Sequence, residues 1–217
     1  SASSSFADAN AQSGKTVTVI GLSLSNSNYS IADQTTTANI TPKVLTVTGL
    51  LTTASKTYNA TMTAAVSGTP SLLTGIAAGT GTDSDGKPYT GDVVGLTGTA
   101  SGIYNSKDVA SATLVTFEGL ASTNSNYTLS LGTQAANITP KALTLTGLTA
   151  NNKVYNTSNT ASISSYGSLT GGASSDSDNK YYSGDSVSLV TTSASSSFAD
   201  ANAQSGKTVT VIGLSLS

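Results

Sequence analysis

The sequence predicts an all-β chain, organised as a tandem array of immunoglobulin-like β-sandwich domains, with β-grasp-like repeat domains as the alternative. Three observations lead there. Apolar and polar residues alternate with period 2 along most of the chain, the pattern of half-buried strands. Gly and Asn clusters interrupt these runs at roughly 8–12-residue intervals, the turn spacing of sandwiches and barrels. Long stretches of the sequence also recur at fixed offsets, the mark of a repeat architecture.

The strands are read in chain order. Thr16-Val17-Thr18-Val19 places Val on one face and Thr on the other. Leu45-Thr46-Val47-Thr48, Leu114-Val115-Thr116-Phe117, Tyr127-Thr128-Leu129-Ser130-Leu131 and Leu143-Thr144-Leu145-Thr146 follow the same rule. β-branched and aromatic residues at alternate positions suit a pleated surface buried on one side. Only Phe6–Gln12 and Ser71–Ala78 offer a short turn of helix. Pro42 and Pro140 sit in A-N-I-T-P-K junctions, where the three residues T-P-K separate one strand from the next. Proline fixes φ and removes an amide donor, so a strand cannot simply pair onward through it. With no Gly/Ser linker at these junctions, stiff connections are expected.

The repeats set the domain boundaries. Residues 1–25 and 193–217 are identical, an offset of 192. N-S-N-Y…A-N-I-T-P-K begins at Asn26 and again at Asn124, an offset of 98. K-T-Y-N-A-T at Lys56 returns as K-V-Y-N-T-S at Lys153, and T-D-S-D-G-K-P-Y-T-G-D at Thr82 returns as S-D-S-D-N-K-Y-Y-S-G-D at Ser175. We read 1–43 as the C-terminal part of one repeat domain, 44–141 as a complete domain, and 142–217 as the N-terminal part of the next, within a 192-residue two-domain period.

Composition excludes several functions. Charged residues are 9% and the net charge is −2; all nine cations are Lys, and Glu118 is the only Glu. Such a chain cannot neutralise many phosphates or bind a membrane surface through a basic patch. There is no His and no Cys, so the usual zinc, haem and iron–sulfur ligands, disulfides and His-based proton shuttles are all missing. No apolar run approaches the roughly 18 residues of a membrane span. Ser and Thr, 37 and 36 residues, make up a third of the chain: polar without charge, a profile suited to a secreted repeat protein rather than an enzyme.

Five motifs occur in a fixed order. K-x-Y-x-x-[T/S] appears at Lys56, Tyr58, Thr61 and at Lys153, Tyr155, Ser158. G-D-x-V appears at Gly91, Asp92, Val94 and at Gly184, Asp185, Val187. Then come Phe6-Ala7-Asp8 with Gly14-Lys15-x-Val17-x-Val19, the N-Y pairs Asn28-Tyr29 and Asn126-Tyr127, and A-N-I-T-P-K. In this set and order the chain resembles the YDG/MBG-type repeat domains of large secreted bacterial adhesins, including filamentous-haemagglutinin-like surface proteins. It departs from them at the name-giving motif, with Tyr58-Asn59-Ala60 and Tyr155-Asn156-Thr157 in place of Tyr-Asp-Gly. The resemblance implies β-rich stalk domains on a bacterial surface and no enzymatic activity.

The candidate metal ligands are Asp83, Asp85 and Asp92, recurring as Asp176, Asp178 and Asp185. Several carboxylates in one loop offer oxygen ligands to Ca²⁺, though without EF-hand spacing or a closing Glu. Lys87 and Lys180 supply a competing cation, and a pair of Asx-turns accounts for the same residues. Otherwise no cofactor is expected. A Lys–Asn isopeptide bond would draw on Lys56 or Lys153, but the lone Glu118 has no counterpart in the other unit. Tyr29 and Tyr127 each open an alternating run and are expected to pack. Tyr181-Tyr182 beside Tyr166 form a candidate carbohydrate-stacking patch. Six of fifteen Asn lie in N-x-[S/T], the frequency this Ser/Thr content gives by chance.

No catalytic residues are assigned, because no acid/base pair or nucleophile constellation is visible. The expected function is structural: stalk repeats of a long extracellular bacterial adhesin, projecting a distal binding region for cell attachment or biofilm formation. The alternative is a self-associating subunit of an extracellular matrix filament. The expected partners are neighbouring repeat domains of the same fibre, with lateral or head-to-tail self-association. Nucleic acid and direct membrane insertion are not expected, and the expected location is extracellular, on the bacterial cell surface.

Overall fold

The computed structural model describes residues 1–217 and is all-β, with no helix. The first part of the chain forms β1 (Ser3–Phe6), β2 (Gln12–Ile20), β3 (Gln34–Ile40) and β4 (Lys43–Thr48). Short strands follow: β5 (Leu51–Thr52), β6 (Ser55–Thr57), β7 (Thr63–Ala64), β8 (Val66–Ser67) and β9 (Ser71–Leu72). The long hairpin β10 (Leu96–Tyr104) and β11 (Leu114–Ser122) precedes β12 (Tyr127–Ser130), β13 (Thr133–Ala135) and β14 (Asn137–Thr139). The remainder forms β15 (Leu145–Ala150), β16 (Ile163–Leu169), β17 (Leu189–Val190), β18 (Ser195–Phe198), β19 (Val209–Ile212) and β20 (Ser215–Leu216). Both expected helical turns are replaced. Residues 7–11 are the loop between β1 and β2, Phe6 and Gln12 being strand residues, and Ser71-Leu72 pairs with Val47-Thr48 instead.

The chain divides into two compact units. Unit 1 is Ser1–Ala54, Met62–Asn105 and Thr113–Ala136; unit 2 is Ser55–Thr61, Ser106–Ala112 and Asn137–Ser217. In unit 1, β4 is the pivot. It pairs in parallel with β12, Tyr127 opposite Lys43, and antiparallel with β9. The ladder starts at Lys43, immediately after Pro42, which has no amide to give; the Lys43 N–H bonds the Asn126 carbonyl at 2.9 Å. The alternation read from the sequence is the burial pattern: Leu45 and Val47 are buried while Thr46 and Thr48 face out. With Val115, Phe117, Tyr104 and Tyr127 they form the apolar core. Fully burying an aliphatic or aromatic side chain of this size contributes about 1.5–3 kcal/mol. The sheet β13-β11-β10-β7 carries this core, and β1-β2-β3 forms a second sheet.

Unit 2 is built from two-stranded pairs: β14-β6, β15-β16, β17-β20 and β18-β19. The first of these is parallel, Asn137 opposite Ser55 and Thr139 opposite Thr57. The expected strand at Leu143–Thr146 begins only at Leu145. In unit 1 the matching residues are ordered by a parallel neighbour, β12, whereas no strand lies beside 141–144.

The identical segments fold alike. Ser3 lies opposite Ile20 and Phe6 opposite Val17, as Ser195 lies opposite Ile212 and Phe198 opposite Val209. Yet β2 has nine residues and β19 four. The sequence is the same and the pairing is not: β2 carries β3 on its second edge, and β19 has no strand there. Tertiary pairing overrides local propensity here.

Candidate functional site

The motifs converge on a clamp that occurs once in each unit. In unit 1, the Lys43 ammonium of T-P-K lies 2.9 Å from the Asp85 carboxylate and 4.4 Å from the centre of the Tyr89 ring. In unit 2, Lys141 lies 2.6 Å from Asp178 and 5.0 Å from the Tyr182 ring. Both ammonium groups are nearly buried, with side chains 10% and 3% exposed. A desolvated cation is stable only with a close anion, and an aromatic face adds further attraction.

The loop orients its carboxylate through its own backbone. Asp85 accepts N–H bonds from Lys87 at 2.9 Å and Thr82 at 3.0 Å. Asp178 accepts from Ser174 at 2.7 Å, and from Ser175 and Lys180. The Lys43 side chain first, and these amides next, hold the Asp85 carboxyl down at about 2; Lys141 and the corresponding amides drive Asp178 lower still. Burial alone would lower the Lys43 ammonium, but Asp85 outweighs it and the group lies above its ordinary value. The turn needs a left-handed residue after the second Asp. Gly86 has φ +72°, and Asn179 takes the same role at +60°. Asn and Gly are the residues that tolerate this conformation.

The third Asp of each motif has a different task. Asp92 accepts the Tyr127 hydroxyl, which in turn accepts the Tyr89 N–H at 3.1 Å. Asp185 accepts the Tyr58 hydroxyl at 2.9 and 3.0 Å. Burial, then the facing carboxylate, raises both hydroxyls above the ordinary tyrosine value. The first Asp, Asp83 or Asp176, is exposed. Neither loop gathers three carboxylates; the second Asp meets an ammonium and amides, the third a phenol. The cation that pairs with the loop is therefore the T-P-K lysine. Lys87 and Lys180 contribute main-chain N–H groups. The sequence did contain a signal for this pairing, because T-P-K and D-x-D-[G/N]-K recur together in the same order.

Two further lysines close turns. Lys56 donates to Asn59 Oδ1 at 2.8 Å and to the Thr61 carbonyl at 2.7 Å, while Lys153 donates to the carbonyls of Ser158 and Thr160. Within these turns Ala60 and Thr157 have φ +62° and +67°. They occupy the third position of the Tyr-Asp-Gly motif, and the left-handed backbone explains why glycine is the natural residue there. Lys15 and Lys207 pair with Asp8 and Asp200 and bond the carbonyls of Asn10 and Asn202 across the identical hairpin loops. Each lysine pulls its carboxyl below the usual range. Glu118 is exposed on β11 opposite Ser101.

The expectation that both N-Y tyrosines pack holds at one site only. Tyr127 is 4% exposed within β12, whereas Tyr29 is 70% exposed and lies outside any strand. Tyr127 is fixed by β4 and Asp92, and Tyr29 has neither contact. Tyr182 stacks edge-on against Tyr58 at 5.9 Å, and the Tyr181 ring covers Gly171, so these rings are engaged in packing.

No curated protein and no solved structure is significantly similar to the chain. Residues 139–217, which carry the second Lys–Asp–Tyr clamp and the Tyr155-Asn156-Thr157 turn, match the model of the YDG domain.

Proposed function

We propose that the chain is a set of structural stalk repeats from a long extracellular bacterial adhesin, without enzymatic activity, that space a distal binding region from the cell surface. The repeats are proposed as a tandem array of immunoglobulin-like β-sandwich modules, with the β-grasp-like repeat as the alternative. A first strand that pairs in parallel with a late one, as β4 does with β12, is compatible with both. The observation that carries the reading is the recurring clamp. Each T-P-K lysine is locked into the Asp loop of its own unit, Lys43 to Asp85 and Lys141 to Asp178. A buried contact remade at the same place in each unit supports a repeated structural module, which is what a spacer requires. The second reading, a self-associating matrix filament, is favoured by the exposed, uncharged Gln/Thr surface of β3.

Electron imaging of the native fibre separates the two. A single file of beads, each about 35–40 Å for strands of ten or so residues, is the expected result. A thicker fibre with several chains in register would overturn the stalk and leave the filament.

A further inference from the structure

Two ladders of the chain are parallel, and both join an early strand of the segment between Thr41 and Ala142 to a late one. Every other ladder is antiparallel. In unit 1, Lys43–Thr46 runs beside Tyr127–Ser130, and the Lys43 N–H bonds the Asn126 carbonyl. In unit 2, Ser55–Thr57 runs beside Asn137–Thr139, and the Tyr58 N–H bonds the Thr139 carbonyl at 2.9 Å. The Thr139 hydroxyl also donates to the Lys56 carbonyl at 3.2 Å. Prolines bracket the paired residues, Pro42 just before Lys43 and Pro140 just after Thr139. Neither has an amide with which to extend a ladder.

Between Ser130 and Asn137 the main chain is committed elsewhere, because β13 pairs with β11. A side chain supplies the rung there. Gln134 Oε1 accepts the Thr52 N–H at 2.9 Å, and Gln134 Nε2 donates to the Thr52 carbonyl at 2.9 Å. Thr52 is buried, where an unpaired main-chain group is costly. Gln134 thus does for Thr52 what a neighbouring strand does for Lys43–Thr46.

The direction of pairing decides how tension is carried. Lys43 begins the early strand, so a pull from residue 42 draws it toward its N-terminal end. Thr139 ends the late strand, so a pull from residue 140 draws it toward its C-terminal end. In a parallel pair these pulls are opposed and both run along the strands. The evenly spaced bonds of a parallel ladder are then loaded together. An antiparallel hairpin parted at its open end loses its bonds one at a time. β4 is also anchored where the load enters, since sliding it would draw the Lys43 ammonium away from Asp85, and a nearly buried ion pair is costly to break.

We propose that the segment from Lys43 to Thr139 bears tension, its early and late strands resisting a pull in shear, with Gln134 as the side-chain rung between them. This function goes beyond spacing. It belongs to a single chain and stands whether the fibre is one chain or several in register.

The chain has no cysteine, so introduced pairs choose the direction of pull. Thr41 and Ala142 are exposed and lie just outside the paired strands. Thr97 and Ala121 are exposed partners near the open end of the β10-β11 hairpin. Handles on Thr41→Cys with Ala142→Cys load the parallel strands, and handles on Thr97→Cys with Ala121→Cys unzip the hairpin. Unfolding under force reports the unfolding rate. At one constant force in optical tweezers, the first chain is expected to survive at least about tenfold longer, the worth of about one hydrogen bond. Gln134→Ala is expected to shorten that lifetime about tenfold and to leave the second direction unchanged. Equal lifetimes in the two directions, or a Gln134→Ala effect that is absent or the same in both, overturn the proposal.

Discussion

At the scale of single residues, the turn after each K-x-Y is the strained point. Left-handed backbone costs an L-residue roughly 1–2 kcal/mol, and a β-branched side chain suffers most. Thr157 and Ala60 both adopt it. Thr157→Gly is expected to stabilise the chain by up to about 1 kcal/mol in urea titration, with Ala60→Gly giving less, because glycine also gains freedom in the unfolded chain. A loss of stability at either position would show that the side chain matters more than the backbone. Gly86 makes the opposite case. A Cβ there would approach Thr46 Oγ1 to 2.2 Å, so Gly86→Ala combines a clash with a positive φ and should destabilise. Tyr127→Phe removes a hydroxyl that donates to Asp92 and accepts from Tyr89. A buried bond to a charged group is worth about 1.5–3 kcal/mol, and a comparable drop is expected by denaturant titration. An unchanged midpoint would mean that packing of the ring alone holds β12.

At the scale of elements, the clamp makes stability depend on acid. The Asp85 carboxyl titrates near 2 in the folded chain against an ordinary 3.8. A depressed carboxylate contributes stability that is present above its unfolded value and disappears as pH falls through its folded value. The Lys43–Asp85 contribution should therefore be intact at pH 5 and fade between about 4 and 2, with Asp178 acting in the same sense. Thermal melts across that range should show a steep limb that Lys43→Met flattens. Asp85→Asn should be the more damaging change, because it leaves the Lys43 ammonium buried without its anion. Equal acid sensitivity in Lys43→Met would remove the pair as the cause. The strands of this clamp were legible in the sequence where burial is one-sided. Leu45-Thr46-Val47-Thr48 and Tyr127-Thr128-Leu129-Ser130 alternate and do form strands. Their parallel pairing was not legible, since it joins residues more than eighty positions apart through side-chain contacts that no local pattern encodes. Ser3–Phe6 escaped notice for the opposite reason: S-S-S-F has no apolar alternation, and its partner Val17–Ile20 holds it in the sheet. The Asp motif was visible, but its partner lysine lay about forty residues away at a junction read only as a stiff connection.

At the scale of the whole molecule, apolar burial is uneven. Of the buried hydrophobic residues, nine lie in unit 1 and only Ala112, Ile138 and Ala161 in unit 2. Regions with few buried apolar contacts open at lower free energy than the global transition. Hydrogen exchange is therefore expected to protect the amides of β10 and β11 most and to release those of β15, β16, β18 and β19 first. Equal protection in both sets would mean that the polar clamps of unit 2 compensate for its thin core.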